Sequence, residues 1–236
     1  MIAGQPGSQK SSFALWWVAS MNLPTLYFSA DMASHTAITR LAATITGDAV
    51  EEVAEGLAGA GDAFYADALS SSKVRFCFDP NPTLDTIYGE LEAWVELADA
   101  YPSVIVIDNL MDVLADGDGE LQAQRAVLLE AKTLARETGA AVVILHHMSE
   151  QAGHPEMPAA RRHIQNKLAQ TPELILSVAL DVDEFKVSVV KHRNGRQDAS
   201  AQQFIRLRSR PERNRFEKWV AMPGFVPQAR PWEEED

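Results

Sequence analysis

The chain has 236 residues, of which 46% are hydrophobic and 23% charged, with a single cysteine and a net charge of −12. This length and apolar content suffice for one sizeable core, so we expect a single domain over residues 1–230. No apolar run approaches the roughly 20 residues of a membrane span, no signal-peptide pattern opens the chain, and Cys77 has no second cysteine to pair with. The sequence therefore predicts a cytoplasmic protein without a membrane partner.

Charge is divided unevenly along the chain. Residues 1–150 hold 7 Lys and Arg against 21 Asp and Glu, whereas residues 151–230 hold 14 against 8. Residues 231–236 include four consecutive carboxylates and predict an acidic, disordered tail. The negative net charge argues against a general nucleic-acid binder. The basic C-terminal third still leaves room for a local phosphate-contacting surface, with ordinary solvated charge as the alternative.

The first element is a glycine-rich turn that runs directly into a helix. It reads Gly4-Gln5-Pro6-Gly7-Ser8-Gln9-Lys10-Ser11-Ser12 and follows the phosphate-loop pattern G-x-x-x-x-G-K-[S/T] at every position except Gln9. Such a turn binds phosphates through its backbone N–H groups and the helix N-terminus. We assign nucleotide binding to Gly4, Gly7, Ser8, Gln9, Lys10, Ser11 and Ser12.

Within this loop, we expect Lys10 to contact the β- and γ-phosphates and Ser11 to bind Mg²⁺. A capped helix after an ordinary Gly/Pro turn is the less favoured alternative. Gln9 adds bulk where backbone normally approaches a phosphate, which would affect hydrolysis more than binding. The strand that feeds such a loop would contain only Met1–Ala3, which is short for a buried strand.

Two acidic residues follow predicted buried strands. The strand Thr25–Ser29 leads to Asp31, which could orient or deprotonate the attacking water, with helix capping as its alternative role. The β-branched run Val104–Ile107 leads to Asp108, the expected carboxylate of the Mg²⁺ site. Other patterns predict a strand over 74–78, helices over about 33–46, 83–97 and 120–138, and short surface helices within 48–72.

A further buried strand, Ala141–Leu145, leads to two adjacent histidines. Neighbouring residues on a strand point to opposite faces, so His146 and His147 are a poor pair for one metal ion. We expect His147 to contact a phosphate or the attacking water and its neighbour to be packed.

The C-terminal third begins with a long polar loop, 149–166, of the kind that is usually functional at the ligand edge of an α/β sheet. Arg161, Arg162 and Lys167 are the candidate DNA contacts, with a solvated loop as the nearly equal alternative. Strands are predicted over 174–180, 184–191, 203–207 and 217–221, with a hairpin turn at Asn194-Gly195.

These elements together resemble the core of the hexameric helicase ATPases of the RecA/DnaB superfamily. The phosphate loop and Asp108 match the two Walker motifs, and Asp31 stands where the family has a catalytic Glu. Leu145-His146-His147 is similar to the family's Leu-His-His segment, and Lys191-His192-Arg193-Asn194-Gly195 is similar to its Lys-x-Arg-Asn-Gly motif. The resemblance thus rests on five motifs that occur in the family's order.

The resemblance implies an α/β, RecA-like P-loop core, with a mostly parallel central sheet flanked by helices and with C-terminal antiparallel hairpin strands. It implies ATP and Mg²⁺ as cofactors, with Mn²⁺ as a second candidate ion. It also implies a homo-oligomer, a hexameric ring, in which Lys191 and Arg193 reach the neighbour's γ-phosphate. Asp31, His147, Lys191 and Arg193 are thus the expected catalytic residues.

The function that follows is an ATP-dependent DNA-processing enzyme on single-stranded or forked DNA, in phage or plasmid replication or recombination. A metal-dependent DNA exonuclease on the same fold is the alternative. Its divalent ion would be held by residues at the sheet edge, chosen from Asp31, Asp108, Asp112, His146 and His147. A non-catalytic ring that binds nucleotide and DNA is the third candidate.

Overall fold

A nine-stranded sheet organises the residues that this computed structural model describes, which are 1–59, 61–148 and 153–220, with the backbone alone for 165–167. The strand order is β3-β2-β4-β5-β1-β6-β7-β8-β9. The strands are β1 Ile2–Gly4, β2 Thr25–Ser29, β3 Val74–Cys77, β4 Val104–Asp108, β5 Ala141–His147, β6 Leu174–Asp181, β7 Glu184–His192, β8 Ile205–Arg210 and β9 Arg215–Lys218.

The sheet is parallel from β3 to β6 and antiparallel from β6 to β9. Parallel strands need long crossovers, and helices in those crossovers cover both faces of the sheet. For this reason the β-branched strand β4 is buried along its whole length. The predicted fold class, a mostly parallel central sheet flanked by helices with antiparallel strands at the C-terminal side, is confirmed.

Six α-helices lie within the described residues: α1 Lys10–Met21, α2 Ser34–Thr46, α3 Val50–Leu57, α4 Asp62–Ser70, α5 Leu84–Ala98 and α6 Glu120–Thr138. On one face of the sheet, α1 and α2 pack through Phe13, Leu15, Val18 and Leu41 against Ile2, Tyr27, Val106 and Leu145. On the other face, α5 and α6 pack through Ile87, Leu91, Val127 and Leu134 against Leu26, Ile105 and Ile144. None of the described helices is long and apolar enough to cross a membrane.

Two local features differ from the sequence prediction. The short segment before the loop forms a central strand, β1, because β5 and β6 both hydrogen-bond to it. The predicted tight turn at Asn194-Gly195 is absent, because neither of these two residues has the positive φ that a two-residue hairpin turn requires. A longer connection, residues 193–204, joins β7 to β8 instead. The tight turn lies instead between β6 and β7, at Val182 with φ 56°. The predicted acidic tail, 231–236, lies outside the described residues.

Candidate functional site

The glycine-rich turn lies between the end of β1 and the start of α1, at the carboxyl edge of the parallel strands. A Cβ on Gly4 would lie 2.6 Å from Ser8 Oγ and 2.8 Å from the Val178 carbonyl oxygen, so only glycine fits this first position. At the position where the pattern has its second glycine, Gln9 adopts a left-handed φ of 59°. Its side-chain Oε1 accepts a hydrogen bond from the buried Ser209 hydroxyl of β8. The loop thus keeps its left-handed backbone without glycine.

Lys10 is the central cation of the turn and is only 5% exposed. Its Nζ lies 3.4 Å from the Gln5 carbonyl oxygen and 3.0 Å from His147 Nδ1. Among the residues that the structure describes, no carboxylate lies within salt-bridge distance of this ammonium. Burial lowers the pKa of Lys10 to about 8, while Asp108 and Asp31 oppose that shift. A buried ammonium without a counter-ion is costly, and a bound phosphate would supply one.

Asp108 lies beside the loop because β4 ends next to β2 at the same edge of the sheet. Its Oδ1 accepts a hydrogen bond from the Ser11 hydroxyl at 3.0 Å, and its Oδ2 accepts one from the Tyr27 hydroxyl at 2.8 Å. Burial raises the pKa of Asp108, and the bonds from Tyr27 and Ser11 act in the opposite direction. A hydroxyl backed by a buried carboxylate is the donor set that a hard cation such as Mg²⁺ accepts in these loops.

Tyr27 was missed by the sequence reasoning. It lies in the middle of a strand that was interpreted only as apolar. Burial and the neighbouring Asp108 raise its pKa well above the usual value, so the hydroxyl keeps its proton and donates a hydrogen bond. A tyrosine two residues before the end of a buried strand was the available signal.

The two histidines at the end of β5 point to opposite faces of the sheet, as the sequence predicted. His147 lies on the side of the loop, and burial together with Lys10 lowers its pKa. A protonated Lys10 can only donate, so His147 Nδ1 accepts and Nε2 carries the proton. His146 is 5% exposed, neither of its ring nitrogens has a hydrogen-bond partner among the described residues, and burial lowers its pKa to about 4.

Asp31 and Asp112 lie at the same sheet edge. Asp31 follows β2 and is exposed, and the backbone N–H of the preceding Ala30 donates to the Asp108 carbonyl oxygen at 3.0 Å. Burial raises the pKa of Asp112, to which Asp31 also contributes and which His147 opposes. The described residues contain no group of three or more His, Cys, Asp or Glu able to hold a metal ion. The five residues proposed for an exonuclease metal centre are therefore not assembled as one.

Lys191 and Arg193 lie at the opposite, amino-terminal edge of the parallel sheet. Lys191 is four residues beyond Val187, which pairs with Val178 at the level of Gly4, so the two edges are separated by roughly 13 Å along the strand. Lys191 Nζ donates to the carbonyl oxygens of residues 169 and 170, both at 2.8 Å. The Arg193 guanidinium forms an exposed ion pair with Glu173 at 2.8 Å. Neither cation contacts the phosphate loop of its own chain.

Two candidate DNA-binding residues, Arg161 and Arg162, lie on a 3₁₀ turn over Arg161–His163, and Lys167 follows in a second 3₁₀ helix, Gln165–Gln170. Arg162 is exposed and its Nε donates to His163 Nε2 at 3.3 Å, whereas Arg161 is half-buried. Arg161 is close enough to Lys191 to contribute to the lowered pKa of that lysine, after burial and Arg193. The Lys167 side chain lies outside the described part of the chain. The turn is thus a basic surface whose two described arginines have no ion pair among the described residues.

Comparisons with known proteins identify a family and two relatives for the chain. Residues 1–153 match a family model described as an AAA domain. The Gene 65 protein of Mycobacterium phage L5 is 31% identical over 216 residues, which are 88% of this chain and 81% of that protein. The Gene 65 protein of Mycobacterium phage D29 is 29% identical over 216 residues, with coverage of 88% and 93%.

Solved structures with the same fold share little sequence with the chain. One solved ATPase domain has a TM-score of 0.79 at 17% identity, and the match covers 93% of this chain and 84% of that domain. A DnaB-like replicative helicase has a TM-score of 0.78 at 17% identity, with coverage of 93% and 57%. The RadB recombinase has a TM-score of 0.55 at 15% identity, with coverage of 93% and 89%.

The predicted resemblance to a RecA/DnaB-superfamily core is confirmed in the fold, and relatives of the chain occur in phages. The chain belongs to the AAA domain family and has the RecA-like P-loop ATPase fold of DnaB-like helicases.

Proposed function

We propose that the chain is an ATP-dependent motor of the DnaB/RecA type that acts on single-stranded or forked DNA in phage replication or recombination. One observation carries the nucleotide half of this proposal. Lys10 is buried at the start of α1 with no carboxylate counter-ion among the described residues. A triphosphate is the anion that a glycine-rich turn at a helix N-terminus recognises. As a phage protein, such a motor would work in the cytoplasm of the infected host.

In this proposal, residues of one chain hold ATP and position the attacking water. The backbone N–H groups of the turn and Lys10 bind the β- and γ-phosphates, and Ser11 with Asp108 would hold Mg²⁺, which neutralises charge on the phosphates. Asp31, one methylene shorter than the family's Glu, orients the water or accepts its proton. The Nε2–H of His147 donates to the γ-phosphate, since its Nδ1 faces Lys10.

In this proposal, a second copy of the chain supplies further positive charge at the bound phosphates. Arg193 cannot serve its own phosphate loop from the opposite edge of the sheet, but that edge can face the loop of a neighbour in a ring or filament. Its exposed ion pair with Glu173 is weak, as surface pairs generally are, so the guanidinium can move to a phosphate. Lys191 is bound to two backbone carbonyls and would position the segment that carries Arg193.

DNA binding is assigned to the basic 3₁₀ turn with Arg161 and Arg162, together with Lys167. Contacts from these cations to the phosphate backbone would be independent of sequence and would weaken with added salt. The acidic remainder of the chain favours a narrow contact surface over a broad one.

The test uses labelled single-stranded and forked DNA with Mg²⁺, with and without ATP, and scores strand separation, product length and phosphate release. The proposal expects strand separation that needs ATP and leaves product length unchanged. Shortening of DNA with Mg²⁺ or Mn²⁺ in the absence of ATP would establish the exonuclease instead. Nucleotide and DNA binding without turnover or shortening would indicate the non-catalytic ring. The Asp108→Asn variant is the matched control for contaminating activity.

A further inference from the structure

A groove opens at the amino-terminal edge of the sheet, between α6 and the first residues of β1, β5 and β6. It has a volume of about 560 Å³ and a largely apolar wall, to which Trp17, Val143 and Leu174 contribute. Leu174 is 37% exposed. The groove lies at the edge opposite the phosphate loop of the same chain, and its lining residue Glu173 pairs with Arg193. Concave, largely apolar surfaces of this size are typical of sites that bind a ligand or another polypeptide segment.

Two cations of α6, Lys132 and Arg136, also line the groove. Neither forms a salt bridge with a carboxylate in the described part of the chain. Residues 1–150 contain only 7 basic residues against 21 acidic ones, so two unpaired cations at one groove are a local reversal of charge. The third charged lining residue, Glu173, is already paired with Arg193. The groove therefore suits a ligand that combines an apolar anchor with negative charge.

The chain itself contains a segment with this chemistry. Its last residues are Pro231-Trp232-Glu233-Glu234-Glu235-Asp236, which place a large aromatic side chain directly before four carboxylates. Tryptophan is one of the side chains enriched among the residues that contribute most to binding energy at protein interfaces. The adjacent carboxylates are opposite in charge to Lys132 and Arg136.

The length of chain outside the described residues allows this contact. β9 is four strand spacings from β1, which is roughly 19 Å. Its last residue, Lys218, lies level with Phe185, roughly 20 Å along the strands from Lys191 at the amino-terminal edge, so the end of β9 is roughly 28 Å from the groove. The eleven residues 221–231 separate Trp232 from the last described residue, Val220, and can span up to about 36 Å when extended. The tail of a chain can thus reach the groove of the same chain with slack.

We propose that the C-terminal segment docks in the groove of its own chain, with Trp232 against the apolar wall and Glu233–Asp236 facing Lys132 and Arg136. The docking would be weakened by salt, because its polar part consists of surface ion pairs. This proposal does not rest on the ATPase function.

The experiment places a photoreactive benzoylphenylalanine at position 232 of the full chain, which keeps a large aromatic group there. Irradiation of a mixture of unlabelled and ¹⁵N-labelled protein, followed by mass spectrometry, identifies both the crosslinked residues and the chain that holds them. We expect crosslinks to α6 over 128–136 and to residues 171–176, within one isotopic chain. The double variant Lys132→Glu with Arg136→Glu should crosslink about tenfold less. Arg125→Glu, an exposed reversal on the same helix away from the groove, should leave the yield unchanged.

Each other outcome overturns the proposal. Crosslinks outside the groove, or equal yields in the double variant and in Arg125→Glu, would mean that the tail does not dock there. Crosslinks to the groove that join chains of different isotopic composition would mean that the tail docks in the groove of a second copy. Circular dichroism spectra identical to those of the wild type exclude unfolding as the cause of a lost crosslink.

Discussion

At the carboxyl edge of the parallel strands, the phosphate loop brings together one buried cation, a buried carboxylate and a neutral histidine: Lys10, Asp108 and His147. At the amino-terminal edge, by contrast, the cations Lys191 and Arg193 lie without any phosphate-binding turn. The first edge holds Lys10 inside a turn that can bind a triphosphate. The second edge holds two cations with no phosphate-binding turn beside them in the described part of the chain. Because strand direction fixes this separation, the proposed function needs a second copy to bring Arg193 to a phosphate loop.

The largest effect we expect comes from removing the cation at one of the two edges. Arg193→Ala should bind ATP nearly as well as wild type and lose about 10³-fold in turnover, the lower range for an arginine that stabilises phosphoryl transfer. Lys10→Ala should lose both binding and turnover. Turnover is measured as phosphate release at saturating DNA, and binding with a fluorescent ATP analogue. Arg196→Ala, an exposed change on the same connection, is the control and should be silent.

Mixing the two inactive variants tests the comparison directly. In an equal mixture, about a quarter of the interfaces join the intact loop of an Arg193→Ala chain to the intact arginine of a Lys10→Ala chain. Roughly a quarter of wild-type turnover should therefore return, if interfaces act independently. No recovery in a mixture that forms mixed oligomers would mean that Arg193 acts within its own chain or not at all.

An intermediate effect is expected from pH, because burial lowers the pKa of Lys10 to about 8. ATP binds the protonated lysine, so the Kd should be level below pH 8 and rise above it by about tenfold per pH unit. The sign follows because a neutral Lys10 must first take up a proton, which becomes harder as pH rises.

Calorimetry in buffers of different ionisation enthalpy measures this uptake. Binding at pH 9 should take up close to one proton, and binding at pH 7 close to none. The Lys10→Arg variant stays charged throughout and, where it still binds, should show no such difference. Equal uptake at both pH values would remove Lys10 as the titrating group.

Local patterns in the sequence were enough to predict most of the elements. β4 and α6 follow from a β-branched run and a helical period bounded by Gly119 and Gly139, both of which act within a few residues. The meeting of Ser11 and Asp108 could also be expected, since parallel strands end at one edge. Contacts between distant segments of the chain could not be predicted in this way. The bond from Ser209 to Gln9 spans 200 residues, and nothing near either residue indicates it.

The smallest effect we expect concerns that contact. Gln9 holds a left-handed φ that costs a non-glycine residue about 1 kcal/mol or more, and the hydrogen bond from Ser209 returns a similar amount. Gln9→Gly removes both the strain and the bond, and water in the space left by the side chain can accept the hydrogen bond of the Ser209 hydroxyl, so the free energy of unfolding should change little. Ser209→Ala removes only the bond and should lower it by about 1 kcal/mol. Adding Ser209→Ala to Gln9→Gly should then cost almost nothing, which denaturant titration of the four proteins measures.

Turnover should respond differently from stability. Glycine at position 9 lets the backbone approach the phosphates as the family pattern does, so Gln9→Gly should raise turnover by a few fold, which corresponds to less than about 1 kcal/mol of transition-state stabilisation. Ser209→Ala leaves the bulk of Gln9 in the loop and should not reproduce that gain. If both variants raised turnover equally, the hydrogen bond from Ser209 in β8 would be the feature that limits turnover. If Gln9→Gly lowered turnover, the Gln9 side chain would itself contact the nucleotide.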